Sequence, residues 1–173
     1  MSVEEALCAL STVCDWGIKR DTDGNTYRWR GYKAHLCWAD GMLPVLCVTT
    51  SASVHDSQVA IPLMKQLASS GVTSLYDLMD SAYDAPSIRQ VSESLGHIPI
   101  IDQNPRRGEK VNFAPCACLR YRERSNAERG NSRLKDSFGL RFVRVRGHAK
   151  VHLHILLGVI VLFADQLLKP LKT

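Results

Sequence analysis

The stretch TYRWRGYKAHLCWADGMLPVLCVTTSAS, residues 26–53, limits the folds open to this chain more than any other. Tyr27 and Trp29 alternate with Arg28 and Arg30, the period-two pattern of a half-buried strand. After Gly31 the apolar parity moves to Tyr32, Ala34, Leu36 and Trp38, which predicts a bulge at the glycine. Asp40-Gly41 is a strong turn signal, and LPVLCVTT returns as the partner strand. The chain therefore contains a long antiparallel hairpin.

Beyond the hairpin, helix and strand alternate. HDSQVAIPLMKQLASSG predicts a short helix with Asp56 as N-cap, Pro62 early in it, Leu63, Met64 and Leu67 as the buried stripe, and Gly71 closing it. Leu75 to Met79 reads as a buried strand with Asp80 at its C-terminal end. Ala85 to Leu95 predicts a helix and HIPIID another buried strand, before an irregular basic connector, QNPRRGEKVNFAPCAC. Hairpin, helix, strand, helix, strand and terminal helices make an α/β domain with a mixed sheet. At 173 residues, 45% of them hydrophobic, one domain with a real core is expected.

Charge is segregated along the chain. Residues 1–100 carry seven Lys/Arg against eleven Asp/Glu, whereas residues 101–150 carry thirteen against five, a net of +8. A cationic block of this kind predicts a polyanionic partner, with nucleic acid first among them. The six cysteines have no paired CxxC spacing, and CAC at 116–118 is a weak metal hint. Reduced thiols in a cytoplasmic protein fit this usage. The run VHLHILLGVIVLFADQLL at 151–168 has a continuous apolar core of only about ten residues, interrupted by His152, His154 and Asp165 around it. It predicts a buried core helix and no membrane span.

The densest chemistry lies in YRERSNAERGNSRLK, residues 121–135, which reads as one helix. At roughly 100° per residue, Tyr121, Arg124, Glu128 and Lys135 fall within an arc of about 60°, along roughly 21 Å of axis. Leu119, Ala127, Gly130, Leu134 and Phe138 gather on the far side. Such a charged face is also what a merely solvated helix presents. Asp80, however, stands at a strand end, where open α/β sheets put ligand-binding groups. Carboxylates from a strand end and a helix are hard oxygen donors suited to Mg²⁺.

Tyr121-x2-Arg124-x3-Glu128-x6-Lys135 matches in full the Y-(2)-R-(3)-E-(6)-K signature of bacterial insertion-sequence transposases of the DDE type. The stretches around GYKAHLCWADG, LYDLMDSAYDAPSI and RYRERSNAERGNSRLKDSFGLRFVRVRGHAKV resemble that group over residues 14–168. The resemblance implies an RNase H-like mixed sheet flanked by helices, Mg²⁺ or Mn²⁺ as cofactor, and cleavage and strand transfer at transposon ends on double-stranded DNA. By position it implies Asp80 and Glu128 as the second and third acidic metal ligands, with Tyr121, Arg124 and Lys135 holding DNA backbone. Arg141, Arg144, Arg146, Lys150, Arg106 and Arg107 would extend the phosphate track. Tyr83 also matches the pattern, as support beside the site. His55-Asp56 sits where the group has such a pair, and is read here as a helix cap.

One part of the pattern is missing. No β-rich run before the hairpin ends in aspartate, so the first strand and its acid are expected to be absent. Asp15, after STVC, is the substitute candidate, while Asp21 and Asp23 fall in a polar turn. The resemblance then implies either a partial catalytic domain, completed by a second copy or an N-terminal part, or an inactive DNA-binding remnant.

Overall fold

The computed structural model describes residues 2–21, 23–104 and 112–169. A capped helix α1 (Val3–Cys8) precedes three strands, β1 (Asp15–Arg20), β2 (Thr26–Ala39) and β3 (Leu43–Ser51). Both pairings are antiparallel. β2 changes partner at Gly31: its first half pairs with β1 up to Asp15–Gly31, and its second half with β3 from Tyr32–Ser51. The parity change at Gly31 is therefore a change of neighbour. The irregularity in register lies further on, between Cys37 and Trp38. The turn between β2 and β3 is a short 3-10 segment, Asp40–Met42, with Gly41 at φ +71°.

The second half of β2 is covered on both faces. Tyr32, Ala34, Leu36 and Trp38 pack against Leu134 of α5 (Arg124–Asp136) and Val151, Ile155, Val159 and Leu162 of α6 (His148–Leu168). Cys37, with Leu46 and Val48 of β3, packs on Val54, Val59 and Leu63 around α2 (Asp56–Ser69). Leu63 and Met64 are buried as expected. The N-cap of α2 is His55, whose Nδ1 accepts from the Ser57 amide at 3.3 Å, while Asp56 is the first helical residue. Pro62 stands inside that helix and is buried.

β4 (Tyr76–Met79), α3 (Pro86–Ser94) and β5 (Ile98–Ile101) form a parallel β-α-β unit, sealed on α2 by Ala60, Met64, Ile88 and Ile101. Buried Ser92 donates to Asp77 Oδ2 at 2.6 Å, and His97 Nδ1 lies 3.0 Å from the same oxygen. β4 is half-buried throughout and Leu75 is exposed just before it. The fold is α/β. Instead of one mixed sheet, though, the described residues form a three-stranded sheet β1-β2-β3 and a separate two-stranded sheet β4-β5.

Two helical readings change. The helix expected across residues 121–135 is interrupted: α4 (Pro115–Tyr121) ends and α5 begins at Arg124. The junction tightens to three-residue hydrogen bonds, Glu123 to Arg120 at 3.0 Å and Asn126 to Glu123 at 2.9 Å. Leu119, placed on the packing side by a single continuous helix, is exposed in the structure. α6 is 21 residues long and buried on one side only, through Val151, Ile155, Gly158, Val159, Leu162 and Gln166. The expected core helix has an uncovered back, because its main partners, β2, β3, α5 and the segment after α5 with Phe138, Leu140 and Val143, all lie on one side.

Candidate active site

Asp80 is the residue immediately after β4. Its Oδ1 accepts from the Ala82 amide at 3.0 Å and caps the 3-10 turn Ser81–Tyr83, so the carboxylate is held at the strand end. Arg124, the first residue of α5, reaches it: Nη1 lies 3.8 Å from Asp80 Oδ2, and Nη2 donates to Glu128 Oε1 at 2.7 Å. One guanidinium thus serves both carboxylates, which lie no more than about 9 Å apart. Arg124 also stacks on Tyr121, 5.5 Å from the ring centroid. The break between α4 and α5 leaves these four side chains together.

The electrostatics reflect that proximity. Burial pushes the Tyr121 phenol up; Arg124 pulls it back, and Asp102 and Asp80 add to the rise. Tyr83 is pushed up further, first by burial and then by Asp56 and Asp80, so it is a neutral phenol packed against α2 beside the site. Asp80 and Glu128 remain exposed, with 45% and 61% of their side chains open to solvent. Exposed pairs of this kind contribute little stability, on the order of 0.5 kcal/mol each. Their arrangement matters more than their strength.

The remaining signature residue has other neighbours. The Lys135 ammonium is pulled down by burial and by the charges of Lys19 and Arg141, with Asp136 opposing. It belongs to a cationic group that includes Lys19 of β1, a residue the sequence did not single out because it lies over a hundred positions away. Arg141 is paired with Asp136, Nε to Oδ1 at 3.0 Å. Arg144, Arg146 and Lys150 are exposed, on the approach to α6 and in its first turn. Arg106 and Arg107 lie outside the described residues.

Asp15 opens β1 instead of closing a strand. Its Oδ1 accepts from its neighbour Trp16 at 2.7 Å, which together with the Ser53 hydroxyl lowers its carboxyl. The Asp56 carboxylate is 3.2 Å from Lys33 Nζ and 3.4 Å from His35 Nδ1. His35 Nε2 lies 2.9 Å from Thr50 Oγ1, so the ring is held between that hydroxyl on one side and the Asp56 carboxylate on the other. Burial holds His35 neutral, its pKa lowered to about 4, and Lys33 is the counter-ion that Asp56 uses. Lys33 and His35 could have been suspected from the alternation in GYKAH, which points both to the face that α2 covers.

A family model described as a transposase DDE domain matches residues 11–164. The chain belongs to that family. No curated protein and no solved structure matches it. Family membership makes DNA the substrate of this transposase domain and divalent-metal dependence its general chemistry. The donor set fits that chemistry in part. Asp80 and Glu128 are hard oxygen donors already arranged around a cation, the Arg124 guanidinium. Among the described residues, however, no group of three or more acidic, His or Cys side chains is gathered for a metal ion.

Proposed function

We propose that this transposase domain contributes the second and third acidic ligands and a DNA-backbone track to a catalytic centre whose first acid comes from elsewhere. Asp80 and Glu128 would hold Mg²⁺ or Mn²⁺, which supplies Lewis-acid activation of an attacking hydroxyl and neutralises the leaving oxygen at the scissile phosphate. Tyr121 and Arg124 would orient the adjoining phosphate, the guanidinium through paired donors and the phenol through stacking or donation. Lys135, with Lys19 beside it, would hold the strand further along, and Arg144, Arg146 and Lys150 would extend that contact.

The observation that carries this reading is the shared contact of Arg124 with Asp80 and Glu128, from two elements 44 residues apart in sequence. The split sheet supports the incompleteness. Among the described residues, 32–39 of β2 pair only with β3, and β4 only with β5, so each presents an edge that an RNase H-like sheet would join through one further strand. By itself the chain then binds duplex DNA in the cytoplasm without cutting it.

The test is a nicking and strand-transfer assay on transposon-end DNA in Mg²⁺ and Mn²⁺, run with Asp80→Ala, Glu128→Ala and Asp15→Ala. The expected result is binding with no cleavage above background. Metal-dependent cleavage lost in Asp80→Ala would refute the incompleteness, and its loss in Asp15→Ala as well would make Asp15 the first ligand.

A further inference from the structure

The β1–β2 ribbon has one open face. Residues directly opposite in the register share a face, so Trp16 with Arg30, Ile18 with Arg28, and Arg20 with Thr26 line one side. All six are exposed, Trp16 by 59% and Ile18 by 66%. The other side is closed by Trp29, whose ring lies so near Gly17 that a Cβ there would come within 2.4 Å of it. Lys19, whose charge acts on Lys135, belongs to that other side as well. The ribbon is thus held from behind, and its open face plays no part in that packing.

The chemistry of the face is sorted by strand. β1 contributes a column of Trp16, Ile18 and Arg20, and β2 a column of Arg30 and Arg28 about 5 Å to one side. No carboxylate stands among them: Asp15 is on the other side, bonded to the Trp16 amide and to Ser53. Arg89, Arg124, Arg133 and Arg141 are each paired with an acid, whereas Arg20, Arg28 and Arg30 have no ion-pair partner among the described residues. We propose that this face binds single-stranded DNA, with bases on the Trp16–Ile18 column and phosphates on Arg28 and Arg30. A polyanion answers the charge, and an exposed indole answers the π-face of a base. A closed duplex does not fit, because its steps rise about 3.4 Å along each strand. Side chains two residues apart on a β-strand stand about 6.8 Å apart, so only an opened strand can lay successive bases on both. An acidic protein or lipid surface would answer the arginines but has no use for a separate aromatic column. The face is distinct from the duplex track proposed at Arg144, Arg146 and Lys150 and does not depend on it.

The test compares a short oligothymidine with a short duplex, binding to the full chain followed by anisotropy and by quenching of indole emission. Trp16→Ala should weaken single-strand binding about tenfold. Trp16→Phe should keep most of that affinity and lose most of the quenching, which separates stacking from any change of fold. Replacing Arg28 and Arg30 together with alanine should lower the single-strand salt slope by about 1.4, at roughly 0.7 for each phosphate. Duplex affinity should change less than about twofold in all three variants, with circular dichroism unaltered. Arg144→Ala combined with Arg146→Ala and Lys150→Ala reports on the duplex track alone and should leave the quenching in place. Single-strand binding indifferent to Trp16→Ala and to the arginine pair overturns the proposal. Equal losses on single strand and duplex, or binding without indole quenching, overturn it too. Tighter binding of the matching RNA, or capture by phosphatidylserine vesicles in place of oligothymidine, would assign the face to another partner and overturn it as well.

Discussion

The two sheets make an instructive pair. In β1-β2-β3 the strands are 6, 14 and 9 residues long, and antiparallel connections join each to its sequence neighbour. In β4-β5 the strands are four residues each, parallel, and joined through α3. The first sheet settles its register through its own hairpins and gains two covered faces over residues 32–39. The second depends on α2 and α3 for most of its burial and exposes Leu75 and Ile98 at its margins. Yet the short sheet carries Asp80, and α5, packed on the long one, carries Arg124 and Glu128. The candidate site exists only where the two regions meet, and α2 is the main apolar link between them.

The largest expected effects ask whether that link makes one cooperative unit. Leu162 is fully buried under the long sheet and Ile88 almost fully buried under the short one. Leu162→Ala and Ile88→Ala should each cost about 3 kcal/mol. If the regions fold together, both changes lower one calorimetric transition by similar amounts. Two separable transitions, each sensitive to one variant, would break the molecule at the gap between the sheets.

Next comes Gly130, where a Cβ would enter the Trp38 ring space. Gly130→Ala should destabilise by about 2 kcal/mol despite the better helix propensity of alanine, because the ring is backed by the α5–α6 cluster. A gain in thermal midpoint would mean that Trp38 moves easily and that α5 is not pinned to β2.

His35 gives a pH test of the face that α2 covers. Its folded pKa is about 4, below the ordinary value of 6.5, because burial disfavours the cation. The unfolded chain therefore takes up this proton first. Stability is full above about 6.5 and falls as pH drops toward 4, by on the order of 2 kcal/mol from this group. Urea denaturation at pH 7 and pH 5 should show a loss that His35→Gln diminishes. An unchanged slope would return His35 to a protonated partner of Asp56.

The smaller effects concern the site. Replacing Arg144, Arg146 and Lys150 with alanine should lower the salt slope of DNA binding by about 2.7, since each phosphate contact contributes roughly 0.9. Arg141→Ala should change it less, because Asp136 already engages that guanidinium. Arg124→Gln should tighten Mn²⁺ binding at Asp80 and Glu128 a fewfold, read by electron paramagnetic resonance, as a competing cation leaves. Weaker Mn²⁺ binding in that variant would make Arg124 a scaffold for the site.

Much of the site was legible along the chain. The spacing of Tyr121, Arg124 and Glu128 and the position of Asp80 after an apolar strand require only local periodicity and a strand end. Lys135 had the right spacing, but its company was invisible: Lys19 reaches it through the β1–β2 hairpin. The break after Tyr121 was equally hidden, since Arg122, Glu123 and Arg124 are all good helix formers and the junction stays in helical dihedrals at Arg122 and Glu123.

By itself the sequence determined the order of hairpin, helices and strands, the basic block at 101–150 and the four-residue signature, because each rests on contacts within a few turns or on charge alone. Only the tertiary structure decided that the strands form two sheets, that one guanidinium spans Asp80 and Glu128, and that α6 is buried on a single side. Those outcomes depend on which distant elements compete for the same face. A β-strand records that it has two edges, and a helix that it is apolar all round, but neither records which edge or face a neighbour will fill.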